Sequence, residues 1–190
     1  MLRNTIFVIG LIAICATGCK KDEGAVVPDP GYGYFPRAVG HWIEYQVDSA
    51  WRDDPTAVND SVSYRLREKV VSSYTDDEGR LCYMIHRSVK DEQGQWVVRD
   101  VWTSTRSNTN AEVTEENLRR MKLVFPVNNG TTWDMNVFNT EKELEVAYRE
   151  KGTPWSTGSL SFGNTVLVKN TVPPNVIEKR NFQERYADAV

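Results

Sequence analysis

Histidine and cysteine, the side chains that most often hold a metal or act as tuned nucleophiles, are nearly missing: two and three among 190 residues. His41 and His86 are far apart, and no His-Glu-x-x-His run, Cys-x-x-Cys pair or Asp-rich loop accompanies them. The spacings that build zinc and calcium sites are therefore absent from the sequence. There is no Gly-x-Ser-x-Gly elbow; Gly158-Ser159-Leu160-Ser161-Phe162-Gly163 reads as a turn running into a strand. Gly31-Tyr32-Gly33 has neither the preceding strand nor the following helix of a phosphate loop. Lysine and arginine are scattered through a chain of formal net charge −3, so the sequence shows no basic cluster of the kind nucleic acid requires. Long apolar runs are lacking too. The longest, Ile6 to Ala16, is about half the roughly 20 residues that span a bilayer.

That short run is informative in its context. Arg3 precedes it, Ala16-Thr17-Gly18-Cys19 closes it, and Lys20-Lys21-Asp22-Glu23 follows. A positive start, a short apolar stretch and a small-residue cleavage site define a secretory signal. Cysteine at the cut position looks like a bacterial lipoprotein signal, with Ala16 where that motif most often has leucine. Cleavage before Cys19 leaves its thiol to carry a diacylglyceryl group, and two acyl chains suffice for stable anchoring. The expected organisation is a signal peptide at 1–18, a lipidated cysteine and flexible Pro-containing tether at 19–30, and one β-rich domain at 31–190. The first partner implied is the lipid bilayer, through acylated Cys19. With Cys19 blocked and Cys15 removed, Cys82 has no intramolecular partner; within Leu81-Cys82-Tyr83-Met84-Ile85 it reads as a small buried hydrophobe.

Beyond the tether the hydrophobic pattern has period two. Ile43, Tyr45 and Val47 share one face; Val62, Tyr64, Leu66 and Val70 form a second series, and Leu81, Tyr83, Ile85 and Val89 a third. Trp96, Val98 and Trp102 read as a fourth. Asp76-Asp77-Glu78-Gly79 and Asp91-Glu92-Gln93-Gly94 are polar turns closed by glycine. The stretch from Glu112 to Arg120 is polar enough for a loop or short helix, and Lys122 to Phe125 reads as a strand stopped by Pro126. Asn128-Asn129-Gly130 is a turn signal. Leu144, Val146 and Tyr148 alternate with charges, which outweighs the helix-forming composition of Glu141–Glu150. The series around Leu160, Phe162, Val166 and Val168, and then Phe182, Glu184 and Tyr186, completes eight to ten strands. The fold class expected is all-β or strand-dominated α+β, an antiparallel meander forming a curved sheet, half-barrel or sandwich. The stop on Ala189-Val190, without a polar tail, reads as a strand missing beyond it.

Tyr34-Phe35-Pro36 followed by Val39-Gly40-His41-Trp42-Ile43-Glu44-Tyr45, then Leu123-Val124-Phe125-Pro126 with Gly130-Thr131-Thr132-Trp133-Asp134, and finally Tyr186-Ala187 resemble the motifs of uncharacterised lipoproteins of the Bacteroidetes. The charged run after Cys19 resembles the export tags of lipoproteins from that phylum. The resemblance implies a β-rich envelope lipoprotein, akin to half-barrels that cradle lipid, and brings no catalytic residue with it. It places the protein at the outer membrane, on either the periplasmic or the external face.

Among the acids, Asp100 lies between Val98 and Trp102 on what reads as an apolar face, and Glu44 between Ile43 and Tyr45. A glycosidase needs two such carboxyls about 5–9 Å apart across a cleft; the alternative for Asp100 is a pairing with Arg87. The six tryptophans all follow the tether. Trp42, Trp96, Trp102 and Trp133 fit inward-facing positions. Trp51 and Trp155, next to turn residues, are the candidates for exposure and ligand contact. These readings imply no cofactor, no metal, no catalytic residue and no nucleic-acid partner. They point to a non-enzymatic outer-membrane lipoprotein that binds an envelope protein, a glycan or a hydrophobic ligand. The alternatives are a carrier of lipid or another hydrophobic ligand and, more remotely, a glycan-active hydrolase.

Overall fold

The computed structural model describes residues 28–53, 55–175 and 180–190. The signal peptide expected at 1–18, Cys19 and the expected tether as far as residue 27 lie outside them. The described residues are all-β, 61 % of them in strands and essentially none in helix, arranged as curled antiparallel half-barrels. Ten strands follow in order: β1 (Trp42–Asp53), β2 (Val58–Thr75), β3 (Leu81–Lys90), β4 (Trp96–Arg106), β5 (Asn110–Glu115), β6 (Leu118–Val124), β7 (Thr132–Asp134), β8 (Glu145–Thr157), β9 (Leu160–Asn170) and β10 (Gln183–Ala187). Strands β1 to β6 form one six-stranded meander, and β10-β9-β8-β7 form a four-stranded sheet.

The meander follows from turns that the sequence encodes. Gly79 and Gly94 take φ of +76° and +79°, where a side chain is disfavoured. The expected loop or helix at Glu112–Arg120 is instead the β5–β6 hairpin. Glu116 and Asn117 both take positive φ, +49° and +64°, the backbone sense that matches strand twist in a two-residue hairpin. Glu141–Glu150 resolves in favour of a strand over a helix: β8 begins at Glu145, and Leu144, Val146 and Tyr148 are buried, though Ala147 between them is buried as well.

The core lies where the two sheets face each other. Ala111 and Leu123 from the meander pack with Trp133, Val146, Tyr148, Val166 and Val168 from the smaller sheet. The 3₁₀ turn Tyr32–Tyr34 adds Tyr34, whose hydroxyl donates to Asn164 Oδ1 at 2.6 Å. Tyr148 also joins the sheets by polar bonds. Its hydroxyl donates to the Val124 carbonyl at 2.7 Å and accepts from the Val124 N–H at 2.8 Å. The core covers β5, β6 and the near part of the long strands. Much of β1 and the start of β2, toward the tip of their hairpin, remains exposed.

Candidate functional site

Residues directly opposite in an antiparallel pair share a face, so the register sorts β1–β4 into rows. On the inner face, toward the core, Val70, Ile85 and Trp102 form one row. Ile43, Glu68, Arg87 and Asp100 form the next, and Tyr45, Leu66, Val89 and Val97 the next. A bulge between Arg87 and Ser88, with Arg99 as the extra residue on β4, shifts the alternation there. Trp96 and Val98 consequently face outward while Asp100 and Trp102 face inward. The single apolar series expected for β4 is therefore corrected: Asp100 does not share a face with Val98.

The charged row is paired throughout. Arg87 Nε donates to Glu68 Oε1 at 3.0 Å and Arg87 Nη1 to Asp100 Oδ2 at 3.3 Å, while its guanidinium lies 3.6 Å from the centre of the Trp102 ring. The Arg87 pairing anticipated for Asp100 is thus observed. One guanidinium serves both carboxylates. Burial raises the pKa of Glu68, against the pull of Arg87. Burial, then the charges of Glu68 and Glu184, raises that of Tyr45. Tyr45 as a whole is 40 % exposed, but its hydroxyl reaches Glu68.

A second buried charge cluster adjoins the first. Lys122 Nζ donates to Glu115 Oε1 at 3.1 Å and to Glu184 Oε1 at 2.5 Å, linking the meander to β10. Burial alone would pull the ammonium's pKa down; Glu184 and Glu115 reverse this and leave it raised. The Tyr186 hydroxyl donates to Glu184, and burial together with that carboxylate pushes its pKa well up. Sequence reading missed Glu68, Glu115, Lys122 and Glu184 as a group. A signal existed in Lys122, set within Met121–Phe125, and in Glu184, flanked at two-residue spacing by Phe182 and Tyr186.

Past the charged row the inner face is apolar and only partly covered. Val97 is 53 % and Val62 45 % exposed, and Trp51 stands 49 % exposed near the hairpin end. Trp51 borders a shallow hollow of about 470 Å³ with Arg52, Asn59 and Asp60. Trp155 is also exposed, stacked on Phe162 with ring centres 6.3 Å apart. Both candidate contact residues are thus accessible, but they lie on different sheets and build no common site. Of the four tryptophans expected inside, Trp133 is buried at 8 % and Trp102 faces inward. Trp42 is 52 % exposed on the outer face; it pairs with Lys69 and not with the Ile43 row, which corrects the inward assignment. Trp96 is likewise on the outer face, opposite Lys90.

The remaining candidates are accounted for separately. Glu44 points outward and binds Arg67 at 2.5 Å and Arg65 at 2.7 Å, so it is on the opposite face from Asp100. Cys82 is buried and free; burial and then Asp76, whose Oδ2 lies 3.5 Å from its Sγ, raise the thiol's pKa. Among the described residues no group of three His, Cys, Asp or Glu side chains is placed to hold a metal. Cys19 lies outside the described residues. Compared with protein-family models, curated proteins and solved structures, the chain matches none.

Proposed function

We propose that this chain is an outer-membrane lipoprotein, anchored through acylated Cys19, whose β-domain is a binding module without catalytic activity. The observation that carries the binding part is the open stretch of inner face beyond the core, where Val62, Val97 and Trp51 are each roughly half exposed. A concave apolar face beside a charged row suits a ligand with an apolar body and a polar end, such as a lipid or a hydrophobic peptide. The carrier reading draws on the same surface and differs only in whether the ligand is handed on. A hydrolase would use a carboxylate pair across a cleft. Glu68 and Asp100 instead bind one guanidinium between them, which supports the non-enzymatic reading.

Two measurements test the two halves. Intact-mass spectrometry of the membrane fraction is expected to find a chain starting at Cys19 and heavier by a diacylglyceryl group, lost in Cys19→Ser. An unlipidated chain in both samples refutes the anchor. For the ligand face, fluorescence of N-phenyl-1-naphthylamine should rise on adding the protein and fall back with Val97→Lys. No enhancement with the unsubstituted chain refutes the apolar site.

A further inference from the structure

We propose that the outer face of β1–β4 is a docking surface for an anionic lipid bilayer. The register gathers on this face charges that the sequence scatters. Trp42, Lys69, His86 and Val101 form one row, and Glu44, Arg67, Ser88 and Val98 the next. Gln46 lies opposite Arg65, and Lys90 opposite Trp96. Within these rows four cations, Arg65, Arg67, Lys69 and Lys90, meet one carboxylate, Glu44. The whole chain, by contrast, carries a formal net charge of −3. Asp48, one row further along, is bound to Ser63 Oγ at 2.6 Å. Asp91, in the turn after Lys90, accepts from the Gln95 N–H at 2.7 Å.

Aromatic and apolar groups are interleaved with these cations. The Arg67 guanidinium lies 4.9 Å from the centre of the Trp42 ring and 4.2 Å from that of Trp96. Lys90 Nζ is 5.9 Å from the Trp96 ring. Trp42, Val98 and Val101 are 52 %, 48 % and 53 % exposed. An indole has an apolar body with a polar edge and settles at the headgroup level of a bilayer, where lysine and arginine meet anionic headgroups. The shape of the face selects among partners. It is the outside of a curled sheet, so it offers no concavity to enclose a small molecule, whereas a bilayer needs none. This surface is separate from the ligand face proposed above, and its test does not depend on the anchor.

The mature chain from residue 19 carrying Cys19→Ser, which has neither the apolar run nor an acyl attachment, is sedimented with vesicles of phosphatidylcholine alone or mixed with phosphatidylglycerol. Binding is expected to favour the anionic vesicles and to weaken with added salt. Lys69→Ser with Lys90→Ser should lower the partition coefficient roughly twenty-five-fold, at about fivefold per cation near a charged surface. Trp42→Ala should lower it further at constant charge. Lys169→Ser, an exposed lysine on the smaller sheet, should leave it unchanged. Circular dichroism checks that each variant is folded. Equal binding to both vesicles, or an equal loss with Lys169→Ser, overturns the proposal.

Discussion

Replacing Lys122 with methionine removes one charge from the centre of the fold while nearly preserving side-chain volume. Its side chain is only 10 % exposed, and those of its partners Glu115 and Glu184 are 19 % and 31 % exposed. Without the ammonium, Glu115 keeps Arg120 Nε at 3.4 Å, while Glu184 keeps only the Tyr186 hydroxyl. Removing one partner from a buried ion pair costs about 3–5 kcal/mol where the remaining charge is uncompensated. The Arg120 pair and the partial exposure of Glu184 argue for the lower figure, about 3 kcal/mol. For a domain of this size that lowers Tm by about 6–12 °C. Urea denaturation followed by tryptophan fluorescence measures the loss directly. Adding Glu115→Gln and Glu184→Gln to Lys122→Met should recover most of it, since replacing a whole buried network with neutral groups is often nearly neutral. The pH dependence has a fixed sign. Lys122 is raised above its ordinary 10.5 in the folded state, so its contribution is fully present below that value and is lost as pH rises through the folded pKa. The gap between unsubstituted protein and Lys122→Met should therefore be constant from neutral pH to about 10 and narrow above it. A loss below about 1 kcal/mol would show that the pair behaves as a solvated surface bridge and would refute the reasoning.

Tyr148→Phe leaves the half-buried N–H and carbonyl of Val124 without the hydroxyl that serves both. A destabilisation of about 1–3 kcal/mol is expected in the same urea assay, and no change would mean that water replaces the hydroxyl. Asp76 accepts from the Arg80 backbone N–H and side chain, which hold its carboxyl down at about 2. Its contribution is present above the ordinary 3.8 and lost as pH falls through the folded value. The stability difference between the unsubstituted protein and Asp76→Asn should therefore shrink between pH 4 and pH 2; a gap constant over that window would contradict the assigned pairing.

Period-two alternation carried the fold wherever strands paired without interruption. The series Ile43–Tyr45–Val47, Val62–Tyr64–Leu66 and Tyr83–Ile85–Val89 each occupy one face, as their spacing predicts. It failed at β4, because a bulge reverses the facing of every later side chain and nothing in Val98-Arg99-Asp100 announces the extra residue. The β5–β6 hairpin was hidden for a different reason. Its turn is Glu116-Asn117 and contains no glycine, and its strands carry charges, Glu112 with Arg119 and Glu115 with Arg120 and Lys122, that find one another only once the hairpin has formed. Of the charge clusters only the Arg87–Asp100 pair was legible, and the outer basic face was not. The rest depends on cross-strand register, which brings together Lys69 and His86, or Glu68 and Arg87, from positions more than ten residues apart.

The unequal reach of the core along β1 and β2 also has a kinetic side. Amides near the hairpin tip, around Trp51 and Asn59, have few buried neighbours and should exchange with solvent through local fraying. Those beside Leu66, Ala111 and Leu123 should exchange only when the whole fold opens. The half-open apolar rows thus sit at the boundary between the two regimes. They are free to adjust their spacing while Tyr148 and Lys122 keep the two sheets in register beneath them.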